Sequence, residues 1–178
     1  MKILKIVILF VFIIFSSCRY NKSINNDLQV VIDSQRKLLN SFGYKPGQKL
    51  SAIDYPYYYG GSYITQNNRL AILICGDTNI YKSQIINCIG DSFLDFKECN
   101  YSYKELLSIV DQLDIMEQNK INKSDDFLEY IYTLSIPNNR VVVKIVDLTP
   151  FKIELFKDSV CNSPAIVFEN TEPFPLVE

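Results

Sequence analysis

The amino-acid sequence predicts an α+β protein built as a tandem repeat of helix-strand-strand-helix-strand units, small sheets with helices on one face. Three observations carry this prediction. Residues 62–98 align over residues 133–169 at a constant shift of 71 without a gap. Asn67-Asn68-Arg69 meets Asn138-Asn139-Arg140, Leu70 to Ile74 meets Val141 to Ile145, and Thr78, Ser92 and Glu98 meet Thr149, Ser163 and Glu169. Self-similarity at a fixed spacing signals a duplicated structural unit. In each block an Asn-Asn turn separates two runs rich in β-branched and aromatic residues, and Asn tolerates the left-handed backbone that tight hairpins need. A longer segment of helical period precedes each block.

Residues 1–17 read as an export leader: Lys2 and Lys5, an unbroken apolar run from Ile6 to Phe15, then small residues. The run is shorter than the about 20 helical residues that span a bilayer core. Residues 18–26 form a polar tether without periodicity. The first unit occupies 27–100 and the second 101–178. The first unit opens with a helix from about Asp27 to Phe42, where Leu28, Val31, Ile32, Leu38, Leu39 and Phe42 recur at helical intervals and Gly43 is the stop. Lys45 to Tyr59 reads as loop. Tyr63–Gln66 and Leu70–Cys75 form a hairpin, a helix runs from Asn79 to Ile89 with Thr78 at its start, and Phe93–Glu98 is the closing strand. The second unit opens at Ser102, whose spacing to Glu105 is that of a capping box, with Leu106, Ile109, Val110, Leu113 and Met116 on one face to about Asn119. Gln118–Asp126 reads as a polar hinge. Tyr130–Ile136 and Val141–Val146 form the second hairpin. Thr149-Pro150 starts a helix to Val160, since Thr accepts an orphan amide proton and Pro suits the first helical position. Ala165–Glu169 closes the unit.

Composition excludes several functions. Removing residues 1–17 takes two lysines and no acid from 18 basic and 20 acidic residues, leaving a net charge of −4. With no basic cluster interleaved with aromatics, the electrostatic term behind nucleic-acid binding is missing. The chain has no His, which removes Ser-His-Asp and Cys-His pairs, HExxH zinc sites and the ordinary neutral-pH base. No motif calls for a cofactor or metal: the cysteines lack CxxC spacing, and the carboxylates Asp54, Asp77, Asp125, Asp126 and Glu129 lack that of a calcium loop. Asp125, Asp126 and Glu129 read as a solvated hinge, and Asp33 with Lys37 as a surface ion pair.

Phe15-Ser16-Ser17-Cys18 resembles the lipobox of bacterial lipoproteins, in the loose form common in Bacteroidetes, and the chain as a whole is similar to small lipoproteins of that group. The resemblance implies acylation of the Cys18 sulfur and cleavage before it. Arg19, where Asp would signal inner-membrane retention, and the absence of an acidic surface-export run imply an outer-membrane lipoprotein facing the periplasm. Tyr59-Gly60-Gly61-Ser62-Tyr63-Ile64, followed by a turn and Leu70–Ile74, resembles pro-regions of alpha-lytic and streptogrisin-type serine proteases. That resemblance, over Tyr55–Glu98 with an echo in the second copy, implies a non-enzymatic, inhibitor-like module that binds a protein partner by strand addition along a sheet edge.

Local candidates are few. Tyr55-Pro56-Tyr57-Tyr58-Tyr59-Gly60-Gly61 has two readings: Tyr57, Tyr58, Tyr59, Gly60 and Gly61 present an aromatic partner-binding surface, or the tyrosines cover the sheet while the Gly pair allows a bend or bulge. A rival function, a small-ligand or glycan-binding or processing protein, requires Tyr57–Tyr59 to converge with an acid such as Asp54 in a cleft. Among the cysteines after Cys18, a ten-residue helix would hold Cys75 and Cys88 roughly 15 Å apart, beyond the about 7 Å a disulfide spans. Cys75 with Cys99, or Cys88 with Cys161, are the disulfide candidates, beside buried free thiols.

Overall fold

The computed structural model describes residues 26–48, 53–120 and 130–172. The leader, Cys18, and the acidic group Asp125, Asp126 and Glu129 lie outside the described residues. Element order follows the repeat. In the first unit helix α1 (residues 26–41) is followed by β1 (Tyr59–Ile64), β2 (Leu70–Cys75), α2 (Thr78–Ile89) and β3 (Leu94–Cys99). The second unit comprises α3 (Tyr103–Lys120), β4 (Tyr130–Ser135), β5 (Arg140–Val146), α4 (Pro150–Ser159) and β6 (Ile166–Thr171). Each unit has a three-stranded sheet with its second strand central: β2 pairs antiparallel with β1 and parallel with β3, and β5 likewise with β4 and β6. No helix among the described residues is long and apolar enough to cross a membrane.

Two helices cover one face of each sheet, and strand alternation decides which residues they bury. Leu70, Ile72 and Ile74 of β2 point toward Val31 and Leu38 of α1 and Ile85 and Ile89 of α2. Val141, Val143 and Ile145 of β5 point toward Leu106, Ile109 and Leu113 of α3 and Phe156 of α4. The cores obey the shift of 71 through the second helix, where Tyr59, Ile72 and Ile85 correspond to Tyr130, Val143 and Phe156, all buried, and the closing strands follow a shift of 72, so that Leu94 matches Ile166. The long helices follow a shift of 75 instead, as Val31, Ser34 and Leu38 take the places of Leu106, Ile109 and Leu113. The segment joining long helix to first strand is shorter in the second unit, so the gapless repeat excludes that helix.

Local signals explain most boundaries, and some expectations need correction. Ser102 and Glu105 form the capping box: the Ser102 amide and hydroxyl donate to Glu105 Oε2 (both 2.7 Å), and the Glu105 amide donates to Ser102 Oγ (3.2 Å). The Thr149 hydroxyl accepts from the Lys152 amide at 3.3 Å, ahead of Pro150. In α2, however, the cap is Asp77 rather than Thr78: its carboxylate accepts from the Asn79 amide at 2.8 Å, and Thr78 is already helical. The stretch Gln118–Asp126 is not where the units meet. α3 runs on to Lys120 and buries its apolar face in the second core, so the chain crosses between units at Asn100–Ser102. Asp33 pairs with Arg36 at 3.2 Å, three residues away, and not with Lys37.

The sheet faces opposite the helices are covered differently. In the first unit Ala71 and Leu73 are buried on that face. Arg69 reaches Asp95 at 2.7 Å, and Lys97 Nζ donates to the Tyr63 hydroxyl at 2.7 Å from the far edge strand, so long polar side chains arch over the central strand. In the second unit Lys144 and Glu169 form a looser pair at 3.7 Å, leaving Ile131 and Val167 exposed.

Phe156→Ala removes a fully buried ring, and urea denaturation is expected to register a loss of about 3–5 kcal/mol. Phe151→Ala, at a position 74% exposed on the same helix, is expected to change stability by no more than about 0.5 kcal/mol.

Candidate functional site

The tyrosine segment divides between core and surface. Tyr55, Tyr58 and Tyr59 are buried, and Tyr57 is 73% exposed. Tyr55 stacks on Tyr59 at 5.5 Å between centroids, with Phe42 and Tyr103 against their edges. Tyr58 stacks on Tyr81 of α2 at 4.0 Å, and Tyr57 meets Tyr81 through their hydroxyls. Burial pushes the Tyr55 and Tyr59 phenols well above their ordinary range. The segment therefore fills the first core and joins it to α3, and of the proposed partner-binding residues Tyr57 is the one that projects into solvent. Tyr58 lines a cavity of about 200 Å³ with Pro56, Leu38 and Cys88. Tyr55 and Tyr59 line a separate one of about 110 Å³ with Gln35, Ser62 and Ile136. Asp54 lines neither. Its carboxylate is 87% exposed and paired with Lys104 at 2.6 Å, which holds its pKa below the ordinary carboxylate value. The convergence of Tyr57–Tyr59 with Asp54 that a glycan cleft requires is not the geometry seen.

Gly60 and Gly61 sit inside β1 and not ahead of it. The register shifts between Tyr59 and Gly61, which makes Gly60 the extra residue of a β-bulge. A Cβ on Gly60 would overlap Cys99 Sγ and press Leu73. Gly61 has φ +116°, and a Cβ there would lie 2.8 Å from Ile136 Cγ2 of the second unit. Both positions need glycine because other parts of the chain come too close.

That approach brings in Asn139, from the β4-β5 turn, which is 5% exposed. Its side-chain carbonyl accepts from the amides of Asn100 (3.1 Å) and Tyr101 (2.8 Å). Its side-chain NH₂ donates to the Tyr101 carbonyl (2.8 Å) and the Gly60 carbonyl (3.4 Å). Arg140 donates to the Asn139 carbonyl at 2.8 Å and lays its guanidinium 4.7 Å from the Tyr101 ring centroid. Asn68, its counterpart in the first hairpin, shares the left-handed backbone, with φ 54° against 52°, but has no such clamp. Sequence reasoning treated both as turn residues, and nothing in their local pattern separates them.

Cys75 and Cys99 are register partners on β2 and β3, with Sγ atoms 3.0 Å apart. The remaining pair lies in separate units: Cys88 is exposed in the last turn of α2, and Cys161 is buried in the second core with its thiol 3.5 Å from Gln112 Oε1. Burial raises the pKa of Cys75, Cys99 and Cys161.

The closing strands complete the candidate surface. Each is hydrogen-bonded on one side only among the described residues. The Leu70 amide bonds the Phe93 carbonyl and the Val141 amide bonds that of Ala165. In a parallel ladder, backbone groups alternate between the partner strand and the outside. Leu94, Phe96 and Glu98 of β3, and Ile166, Phe168 and Asn170 of β6, thus direct their backbone groups outward.

Comparison with known families divides the chain at the same crossing between units. Residues 20–99 match the model of the Pro-like N-terminal domain, and residues 104–171 that of the Pro-like C-terminal domain. The chain is Pro-like in both halves. No curated protein matches it. The Pro-like N-terminal half contains the segment Tyr59–Ile64 whose pattern resembles protease pro-regions, and the two matches together point to a propeptide-like, non-catalytic module.

Asn139→Gly keeps the backbone conformation but strips the clamp, leaving the part-buried amides of Asn100 and Tyr101 and the carbonyls of Tyr101 and Gly60 without these partners. It is expected to cost about 2–4 kcal/mol by denaturant titration, whereas Asn68→Gly at the equivalent turn is expected to stay within about 0.5 kcal/mol of the parent.

Proposed function

We propose that the chain is a lipid-anchored, propeptide-like module of the cell envelope, inhibitor-like in its mode and non-catalytic, which takes a strand of a partner protein along an open sheet edge. The observation that carries this reading is the pairing of two Pro-like halves with closing strands that, among the described residues, are bonded on one side only. Main-chain hydrogen bonds to such an edge supply affinity, and the alternating side chains beside it supply selectivity.

Of the two edges, β6 is the better receptor. Its side chain Val167 is exposed, beside the buried Val142 of the central strand, and a strand added there would cover it. On β3 the corresponding positions hold Asp95 and Lys97, which are already engaged with Arg69 and Tyr63. Desolvating those groups opposes docking, while covering Val167 favours it.

The anchor follows from the leader and Cys18, and the Pro-like match begins at residue 20, just beyond that cysteine. Acylation there places the folded units immediately above a bilayer, in this reading the outer membrane on its periplasmic side, where tethering raises the effective concentration of the module around envelope partners.

The partner class is tested by capture and inhibition of secreted serine proteases. Asn170→Pro deletes an outward amide of β6 and is expected to weaken capture at least about tenfold, or 1.4 kcal/mol, while Asn170→Ala retains it. Loss with Glu98→Pro alone would move the docking edge to β3, and unchanged capture by both proline variants would remove strand addition altogether. For the anchor, mass spectrometry of the chain from its native host is expected to find Cys18 as the acylated first residue; an intact Met1 would exclude it.

A further inference from the structure

We propose that Cys75 and Cys99 are a dithiol site that closes reversibly to a disulfide across the parallel strands, by exchange with a small, carboxylate-bearing disulfide of the glutathione class. This goes beyond the binding role and is independent of it.

Four observations converge on the pair. The two residues are direct neighbours at the C-terminal ends of β2 and β3, with sulfurs 3.0 Å apart. Adjacent strands are separated by about 4.8 Å, inside the about 4.4–6.8 Å between α-carbons that a disulfide spans, so closing to a bond of about 2.05 Å needs side-chain rotation and little backbone movement. Cys99 Sγ occupies the place beside β1 that a Cβ on residue 60 would take, so Gly60 makes room for the sulfur. Finally, Cys99 lines a cavity of about 230 Å³ with Lys97, Glu98, Asn100, Asn139 and Arg140. Two cations against one carboxylate suit an anionic reagent, and the neighbouring amide side chains suit a peptide.

The cavity assigns an order to the sulfurs. Cys99 loses its proton and attacks one sulfur of the external disulfide, forming a mixed disulfide and expelling one thiolate, which takes up that proton. Cys75 then loses its proton and attacks Cys99 Sγ, breaking the mixed bond and expelling the second thiolate, which is protonated in turn. Two protein thiols are oxidised and one external disulfide is reduced to two thiols. Burial keeps both protein thiols weakly ionised, which makes exchange slow and protects the reduced pair from casual oxidation.

Closure acts on the junction between units. Cys99 directly precedes Asn100 and Tyr101, whose amides are held by Asn139, so a bond to Cys75 pins the end of β3 where the clamp is attached.

The test equilibrates the purified full chain with glutathione buffers of graded redox poise, followed by acid quench, alkylation and peptide mass spectrometry. The expected product is lighter by two hydrogens, carries a cross-link joining Cys75 to Cys99, reopens in reduced glutathione, and melts several degrees above the reduced form. Cys75→Ser is expected to stop after the first step with one glutathione on Cys99. Gly60→Ala, which crowds the Cys99 sulfur, is expected to slow closure several-fold while alkylation of Cys88 is unchanged. Cys75 and Cys99 both alkylatable across the whole range in a folded chain, a cross-link through Cys18, Cys88 or Cys161, or a mixed disulfide in the parent that never resolves would each overturn the proposal.

Discussion

The side chain of Asn139 imitates a peptide group, and the joining of the two units depends on it. A strand neighbour would offer Tyr101 one acceptor and one donor; the carboxamide offers both from a single residue and adds bonds to Asn100 and Gly60. The arrangement is possible only because the bulge at Gly60 and the positive φ of Gly61 let the second hairpin lie against β1 without a Cβ between them. Each unit has its own apolar core, so neither needs the other to bury its sheet. What the pair gains is a junction built from buried polar groups. Such groups are costly when unmatched, and here each of the four bonds of the carboxamide has a partner.

A duplicated unit has been put to two uses at equivalent positions. The arginine after each Asn-Asn turn either ties β2 to β3, as Arg69 does with Asp95 and the Leu94 carbonyl, or packs on the junction, as Arg140 does with Tyr101. After the central strand both copies take a left-handed residue, Gly76 in one and Asp147 in the other. The cores conserve volume more than identity. Ile85 becomes the larger Phe156 while Leu70 and Ile72 become the smaller Val141 and Val143, and all six are buried. Compensation of this kind is what close packing demands, since a ring added without a matching reduction would overfill the layer.

How much of this was legible in the sequence depends on the range of the interaction that decides each feature. Strands β2 and β5, the Asn-Asn hairpins, the capping box at Ser102 and the Thr149-Pro150 start are set by residues a few positions apart, and the structure places them as expected. The α2 cap was misplaced because Asp77 and Thr78 are adjacent and equally able to accept, and packing of the helix chose between them. The Gly pair read as a bend or bulge, and the structure makes it a bulge inside β1, a choice that exists only relative to a partner strand. The polar run Gln118–Asp126 looked like a hinge, since polarity alone does not show that α3 continues to Lys120. Asn139 was invisible for the same reason: its partners lie about 40 and 80 residues away in sequence, and locally it matches Asn68.

The same long-range view explains why two similar units present different edges. Helices on one face leave the other face of each sheet to be covered by side chains, and leave outer strands that sequence alone cannot rank. β1 is engaged at Gly60 and Gly61 by the second hairpin. The back of β3 is closed by the Arg69–Asp95 and Lys97–Tyr63 contacts, which satisfy their charges within the unit. Among the described residues β6 has neither form of cover: its Glu169 is held at 3.7 Å by Lys144, and Val167 stands exposed. A long, bare edge with an apolar side chain is the feature that soluble proteins ordinarily blunt with charge or a bulge. The copies therefore differ on the back face beside the closing strand, where Asp95 and Lys97 of the first unit are engaged and Val167 of the second stands exposed, an asymmetry that local sequence similarity hides.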